Sequence, residues 1–339
     1  MRAPTLLLFA ACLILPAQTK LEKFLTQKLA LTPAQLATLR AGQPIAVPVN
    51  GMVDREVSVA GVIRIDRPAA RTIDVIRNIE TLESGKGFLH TRKLSSPPKL
   101  DDFAAFSVDK DDVNDLRKCR PGKCAVKLGK PAMDAVARLD WASPGVAMRV
   151  NDLARKTAFD YVEAYRRGGN TELATYVDTD RPRFVAEEFA DMIKRSEMLP
   201  DHLASLTGFL LGYPTAPRPK GTDDFYYWSV ADFGLKPVFR LNHVVIHPVP
   251  PGTTTLYAIA TKQLYATHYF QTALELRALV DDESQPGKAH YLVVLNMARS
   301  DGLTGTFGGL IKSKARSGSR NGLEAALRAT KVLAERNSQ

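Results

Sequence analysis

Apolar residues recur along this chain with two periods, and the switches between them lay out its elements. Val57, Val59, Gly61, Ile63 and Ile65 alternate with Ser58, Ala60, Val62 and Arg64, the period of a strand. Asp66-Arg67-Pro68 stops that strand, and Ile73, Ile76 and Ile79 then follow at helical spacing. Upstream, Leu21 to Leu29 predicts a short amphipathic helix. Thr32-Pro33 opens a second one, Thr32 as N-cap and Pro33 in its first turn, and Gly42 ends it. Pro44 and Pro48 are expected to break whatever follows. Asp111 to Cys119 predicts a helix with Asp109, Asp111 and Asp112 at its positive end, and Ala125 to Leu128 a strand.

The middle of the chain is helical. Val146, Val150, Leu153, Ala154, Ala158, Tyr161, Val162 and Tyr165 keep helical spacing as far as Gly168-Gly169. Phe184 to Ile193 and Leu203 to Leu211 predict further helices, and Pro214, Pro217 and Pro219 a loop. The last third turns to strands: Phe225 to Val230, Pro237 to His247, Leu256 to Leu279 and His290 to Ala298, with turns at Pro250-Pro251-Gly252 and Gln285-Pro286-Gly287. The third of these is long enough to require a bend or bulge. A glycine-rich segment, Gly302 to Gly309, leads into a C-terminal helix with Leu323, Ala326, Leu327, Thr330 and Leu333 on one face. The expected division is an N-terminal helical segment over residues 20–50 and one α+β domain over 51–339, with a helical insertion at about 131–220.

Residues 1–19 change the picture. A basic start at Arg2, an apolar run from Thr5 to Leu15 and the exit Pro16-Ala17-Gln18-Thr19 predict a secretory signal peptide. The run is shorter than the roughly 20 residues of a membrane span. An exported protein, periplasmic or extracellular, is expected. Phe9-Ala10-Ala11-Cys12 departs from a lipoprotein box, because Phe9 is a poor first residue and the apolar run continues past Cys12. Export gives meaning to Cys119-Arg-Pro-Gly-Lys-Cys124: Pro121-Gly122 favours a type II turn that brings the two sulfurs together as a structural disulfide. A redox-active pair is disfavoured, since the spacing is not Cys-x-x-Cys.

The chain has 339 residues, 45% of them hydrophobic, and a net charge of +10. The charge is dispersed, with its densest part at Lys312, Lys314, Arg316 and Arg320. That stretch reads either as a solvated helix start or as contact with an anionic membrane surface. Export argues against nucleic acid. The glycines of Thr304 to Gly309 lack the Gly-Lys-Ser/Thr of a phosphate loop, and no cofactor motif is present.

Two stretches carry a resemblance. Glu56 to Glu80 reads as a strand, Pro68 and an amphipathic helix. Phe239 to Arg336 reads as antiparallel strands closed by a long amphipathic helix. Together, over roughly a third of the chain, they resemble the START-like, or helix-grip, superfamily of lipid-transfer proteins and polyketide cyclases. The resemblance implies a curved antiparallel sheet packed on the C-terminal helix, with an apolar ligand held between them. It carries over no site residue, since the family has no universal catalytic signature. The helical stretch between Pro131 and Pro219 departs from the family's compact pattern.

Candidate site residues come from the strands. In Lys262 to Phe270, strict alternation puts Lys262, Leu264, Ala266 and His268 on one face and Gln263, Tyr265, Thr267 and Tyr269 on the other. Tyr265, His268 and Tyr269 are therefore ligand-binding candidates among apolar walls, or cross-strand packing. Tyr227 and Trp228, from an aromatic cluster, and Arg299, at a strand end before Asp301-Gly302, join them. Arg299 would hold an anionic ligand group, or simply pair with Asp301. His243 and His247 would lie about 13 Å apart along a strand, too far to share a metal ion.

The expected function is an exported carrier of a lipid or other apolar small molecule. One alternative is an envelope enzyme using His268 with Tyr265 or Tyr269, which a cavity position beside a carboxylate would favour. Another is a structural or protein-interaction role without a ligand.

Overall fold

In a computed structural model the chain is described over residues 19–196 and 203–336. The expected signal peptide, with Cys12, lies outside these residues except for Thr19. In chain order the elements begin with α1 (Lys20–Gln27), α2 (Pro33–Arg40), β1 (Ile45–Val49), β2 (Glu56–Ile65), α3 (Ala69–Arg77), α4 (Ile79–Leu82) and β3 (Phe88–Lys93). The middle contains α5 (Lys110–Leu116), α6 (Lys130–Ala137), α7 (Val146–Gly168), β4 (Thr175–Tyr176), β5 (Arg183–Phe184), α8 (Val185–Arg195) and α9 (Ala204–Gly212). The last part contains β6 (Asp223–Ala231), β7 (Val238–Pro248), β8 (Thr255–Ala266), β9 (Thr272–Asp281), β10 (His290–Arg299) and α10 (Gly308–Glu335).

The fold is α+β. One eight-stranded antiparallel sheet runs in the order β1-β2-β10-β9-β8-β7-β6-β3. β2, next to the edge strand β1, has both of its faces buried. Val57, Val59, Ile63 and Ile65 join Ile73 and Ile76 of α3 and Leu323 and Leu327 of α10 in one apolar cluster. Val62 on the other face meets Leu25 and Leu39 of α1 and α2. Further along that second face, Val162, Phe189 and Phe209 of α7, α8 and α9 cover Phe239, Leu241 and Leu264. The helical middle of the chain thus forms a layer against the sheet opposite α10.

Gly61 sets how closely α10 approaches. A Cβ there would lie 2.7 Å from Leu323 and 2.9 Å from Leu327. The helix rests on bare backbone, the usual reason for glycine inside a strand. Gly61→Val is expected to destabilise by about 1–3 kcal/mol through overpacking, with part regained when Leu323→Ala is added. Chemical denaturation of both variants measures this.

Several expectations need correction. Pro48 does not break the chain but sits in β1, the edge strand, where its missing N–H costs no ladder bond. Ala125 to Leu128 is not a strand. It is irregular backbone held by Cys124 N–H to Asp178 O (2.9 Å) and Lys127 N–H to Thr267 O (2.8 Å). Leu256 to Leu279 is two strands, β8 and β9, joined by a turn in which Tyr269 takes φ +58°. Cys119 and Cys124 do form a disulfide, with Cα atoms 4.4 Å apart, which is compatible with an exported protein.

Candidate functional site

The sheet face toward α10 is apolar at one end and polar across its middle. Register places Asn296, Glu275, Thr261 and Val244 in one row across β10, β9, β8 and β7. Arg277 lies beside Val294, while Gln263, Asn242 and Tyr227 face one another across β8, β7 and β6. Glu83, just after α4, reaches this floor. Its carboxylate accepts from Tyr227 Oη at 2.9 Å and from Arg240 Nη2 at 3.3 Å. Burial raises the Glu83 carboxyl above its ordinary value, against the opposing pull of Arg240 and Tyr227. Arg277 pairs with Glu275.

Among the described residues, five polar atoms of this floor are buried without a hydrogen-bond partner: Arg240 Nε, Asn242 Nδ2, Thr261 Oγ1, Gln263 Nε2 and Asn296 Oδ1. Native interiors pair such groups almost always, and each lapse costs about 1–3 kcal/mol. On this side of the sheet α10 packs on β2 and β1, and its N-terminal half runs along the edge strand beside Pro48. Ala315 touches the apolar cluster. Gly318 and Gly322 are exposed, and a Cβ on either would meet nothing within 4 Å. Unpaired groups of the kind on this floor are ones that the hydrogen-bonding groups of a small molecule could satisfy.

Of the residues nominated from sequence, Tyr227 lies on this floor. Trp228 projects to the opposite face, where its Nε1 donates to Asp102 O at 2.9 Å. Tyr265, His268 and Tyr269 gather elsewhere, around the disulfide-bearing segment. Tyr265 Oη donates to Lys127 O at 2.7 Å, and Tyr269 Oη accepts the Lys236 N–H at 3.0 Å. His268 Nδ1 faces Ala125 O at 3.2 Å and Nε2 faces Asp112 Oδ2 at 2.9 Å. The carboxylate that would favour an enzyme is therefore present. Both ring nitrogens, however, face acceptors inside the protein, and neither is left to exchange a proton with a substrate. Asp112 is buried, which raises its pKa, but hydrogen bonds from His268 and Lys236 bring it below the usual carboxylate value.

Arg299 is 1% exposed and points away from α10. Its Nε donates to Glu56 (3.0 Å), Nη1 to Glu188 (2.7 Å) and Nη2 to Asp191 (2.6 Å). Asp301 pairs with Arg183 instead. Arg299 thus ties β10 and β2 to α8. No group of His, Cys, Asp and Glu able to hold a metal occurs among the described residues.

A second polar constellation, unforeseen from sequence, lies between the sheet and α7. Lys262 is 2% exposed and, among the described residues, has no carboxylate partner. Its Nζ donates to Tyr165 Oη at 3.2 Å and to Asn170 Oδ1, 3.9 Å from the Phe189 ring centre. Tyr165 Oη in turn meets His243 Nδ1 at 3.2 Å, and His243 Nε2 meets Asp224 Oδ2 at 2.8 Å. Arg218 closes the chain at the surface, 2.6 Å from Asp224. Burial holds the Lys262 amine well below its ordinary value, and burial lowers His243 despite Asp224. The available sequence signal was a lysine in phase with Ala258, Ala260 and Leu264, on a face that is otherwise apolar.

No family model matches this chain, and no curated protein matches it. Among solved structures, one titled "Crystal structure of Ara h 8.0201" aligns over 35% of this chain and 72% of its own, at 10% identity and a TM-score of 0.21.

Proposed function

We propose that this protein is an exported binding protein for a small molecule, held between the sheet and the C-terminal helix in the manner of a helix-grip fold. The observation that supports this reading is the group of buried polar atoms, partnerless among the described residues, on the sheet face that α10 also packs against. That floor revises the expected ligand. A purely apolar lipid would leave Asn242, Gln263 and Asn296 unpaired, so the ligand carries hydrogen-bonding groups as well as apolar surface. The Arg240–Glu83 pair supplies both a donor and an acceptor at one end of the floor.

Native mass spectrometry of protein taken from its own compartment, with mild activation, tests this. A discrete mass should be lost from the wild type. The double variant Asn242→Leu/Gln263→Leu should hold that mass at least about tenfold more weakly, the loss of roughly one good hydrogen bond. It should also unfold at higher denaturant, because two buried unpaired groups are gone. A clean apo mass, or equal retention by the variant, would turn the reading toward a structural or protein-interaction role.

A further inference from the structure

The buried stripe of α10 changes character halfway along. In the C-terminal half it is Leu323, Leu327, Thr330 and Ala334. Followed back along the same side at three- and then four-residue spacing, it becomes Arg320, Arg316 and Lys312. These three cations open onto a groove of about 380 Å³ between the helix and the edge strand, completed by Ser313, Ser317 and Pro48. No acidic side chain lines the groove. Among the described residues none of the three cations forms an ion pair. Lys312 Nζ donates to the Asp54 carbonyl at 2.6 Å, and Arg316 Nε is buried without a partner. Like charges four apart on a helix repel, so the arrangement calls for an anion.

The same end of the helix carries exposed apolar residues. Phe307 is 72% exposed, Leu310 61% and Ile311 46%, with Lys314 among them. Free phosphate has no use for such a tip, whereas a membrane interface takes up aromatic and aliphatic side chains alongside basic ones. No helix among the described residues is long and apolar enough to cross a membrane, which leaves surface contact.

We propose that this end of α10 docks on an anionic phospholipid surface, with Lys312, Arg316 and Arg320 receiving a headgroup phosphate and Phe307, Leu310 and Ile311 entering the interface. The proposal stands apart from the ligand site proposed at the polar floor of the sheet.

Flotation with vesicles of mixed phosphatidylglycerol and phosphatidylcholine, against phosphatidylcholine alone, tests it. Wild-type protein should float with the anionic vesicles only, and less at high salt. The variant Lys312→Gln/Arg316→Gln/Arg320→Gln should lose on the order of a hundredfold in partitioning. Phe307→Ser/Leu310→Ser/Ile311→Ser should also lose vesicle binding while still binding inorganic phosphate by calorimetry. All these positions lie outside the apolar clusters, and unchanged thermal melting would confirm that the variants fold. Equal flotation with neutral vesicles overturns the proposal, as does full binding by the charge variant. Phosphate binding without flotation by the wild type overturns it in favour of a soluble phosphate ligand.

Discussion

Arg299→Ala is expected to destabilise the protein by about 3–5 kcal/mol, the loss typical when one partner of a buried ion pair is removed. The guanidinium is the shared donor for Glu56, Glu188 and Asp191, and Glu56 is fully buried. Ser58 Oγ at 2.6 Å and the Met52 N–H at 3.1 Å also donate to Glu56. Those neutral donors remain after the substitution but do not cancel its charge. Adding Glu56→Gln should therefore return part of the loss. Urea unfolding of the single and double variants gives the coupling directly. Because Arg299 faces α8, ligand retention by the folded variant should match that of the wild type, which separates this site from the polar floor on the opposite sheet face. A loss under about 1 kcal/mol would mean that the cluster is solvated and the tie between β10 and α8 weak.

The second large effect is one of pH. The amine of Lys262 is a base whose value in the folded state is depressed by burial. Above about pH 10.5 it is neutral in both states and costs nothing. As the pH falls below that, the unfolded chain takes up a proton that the folded chain refuses. Stability therefore declines with falling pH until the folded value is reached, then levels off. The slope from one such group is at most about 1.4 kcal/mol per pH unit. His243, also depressed by burial, adds a second decline beginning near pH 6.5 and running downward. Buried tyrosines such as Tyr265 and Tyr165 are raised and act in the opposite sense at alkaline pH. The comparison is therefore between wild type and Lys262→Met across about pH 7 to 10. The variant keeps the volume, removes the titrating group, and should show a stability advantage over wild type that grows as the pH falls. A constant difference would mean that Lys262 keeps its proton in the fold. The layer that loosens on acidification would be α7 with its following turn, since Tyr165 and Asn170 hold the amine.

Much of the architecture was legible in residues a few positions apart. The alternation in β2, Ile73 and Ile76 on α3, the leucine stripe of α10 and the Thr32 N-cap all appear in the fold, while Ile79, expected on the same helix, opens α4. So does the Cys119–Cys124 disulfide across Pro121-Gly122. Each of these signals is local: a period, a cap or a turn is fixed by neighbours along the chain. The partners of charged groups were not legible, because nothing near Arg299 announces Glu56 or Glu188, far away along the chain. The polar floor was also hidden. Asn242, Thr261, Gln263, Glu275 and Asn296 each look unremarkable in their own strands, and only the pairing of β7, β8, β9 and β10 puts them on one face. A single register shift opposite Leu241 and Asn242 accounts for the misplaced tyrosine. Strict alternation separates Lys262 from Tyr265, yet Lys262 bonds Tyr165 while the Tyr265 ring packs 6.3 Å from Tyr161, both on α7. Local pattern determines which segments are strands and helices. Register, bulges and the packing of distant segments determine which side chains meet, because a slip of one residue turns every following side chain to the other face.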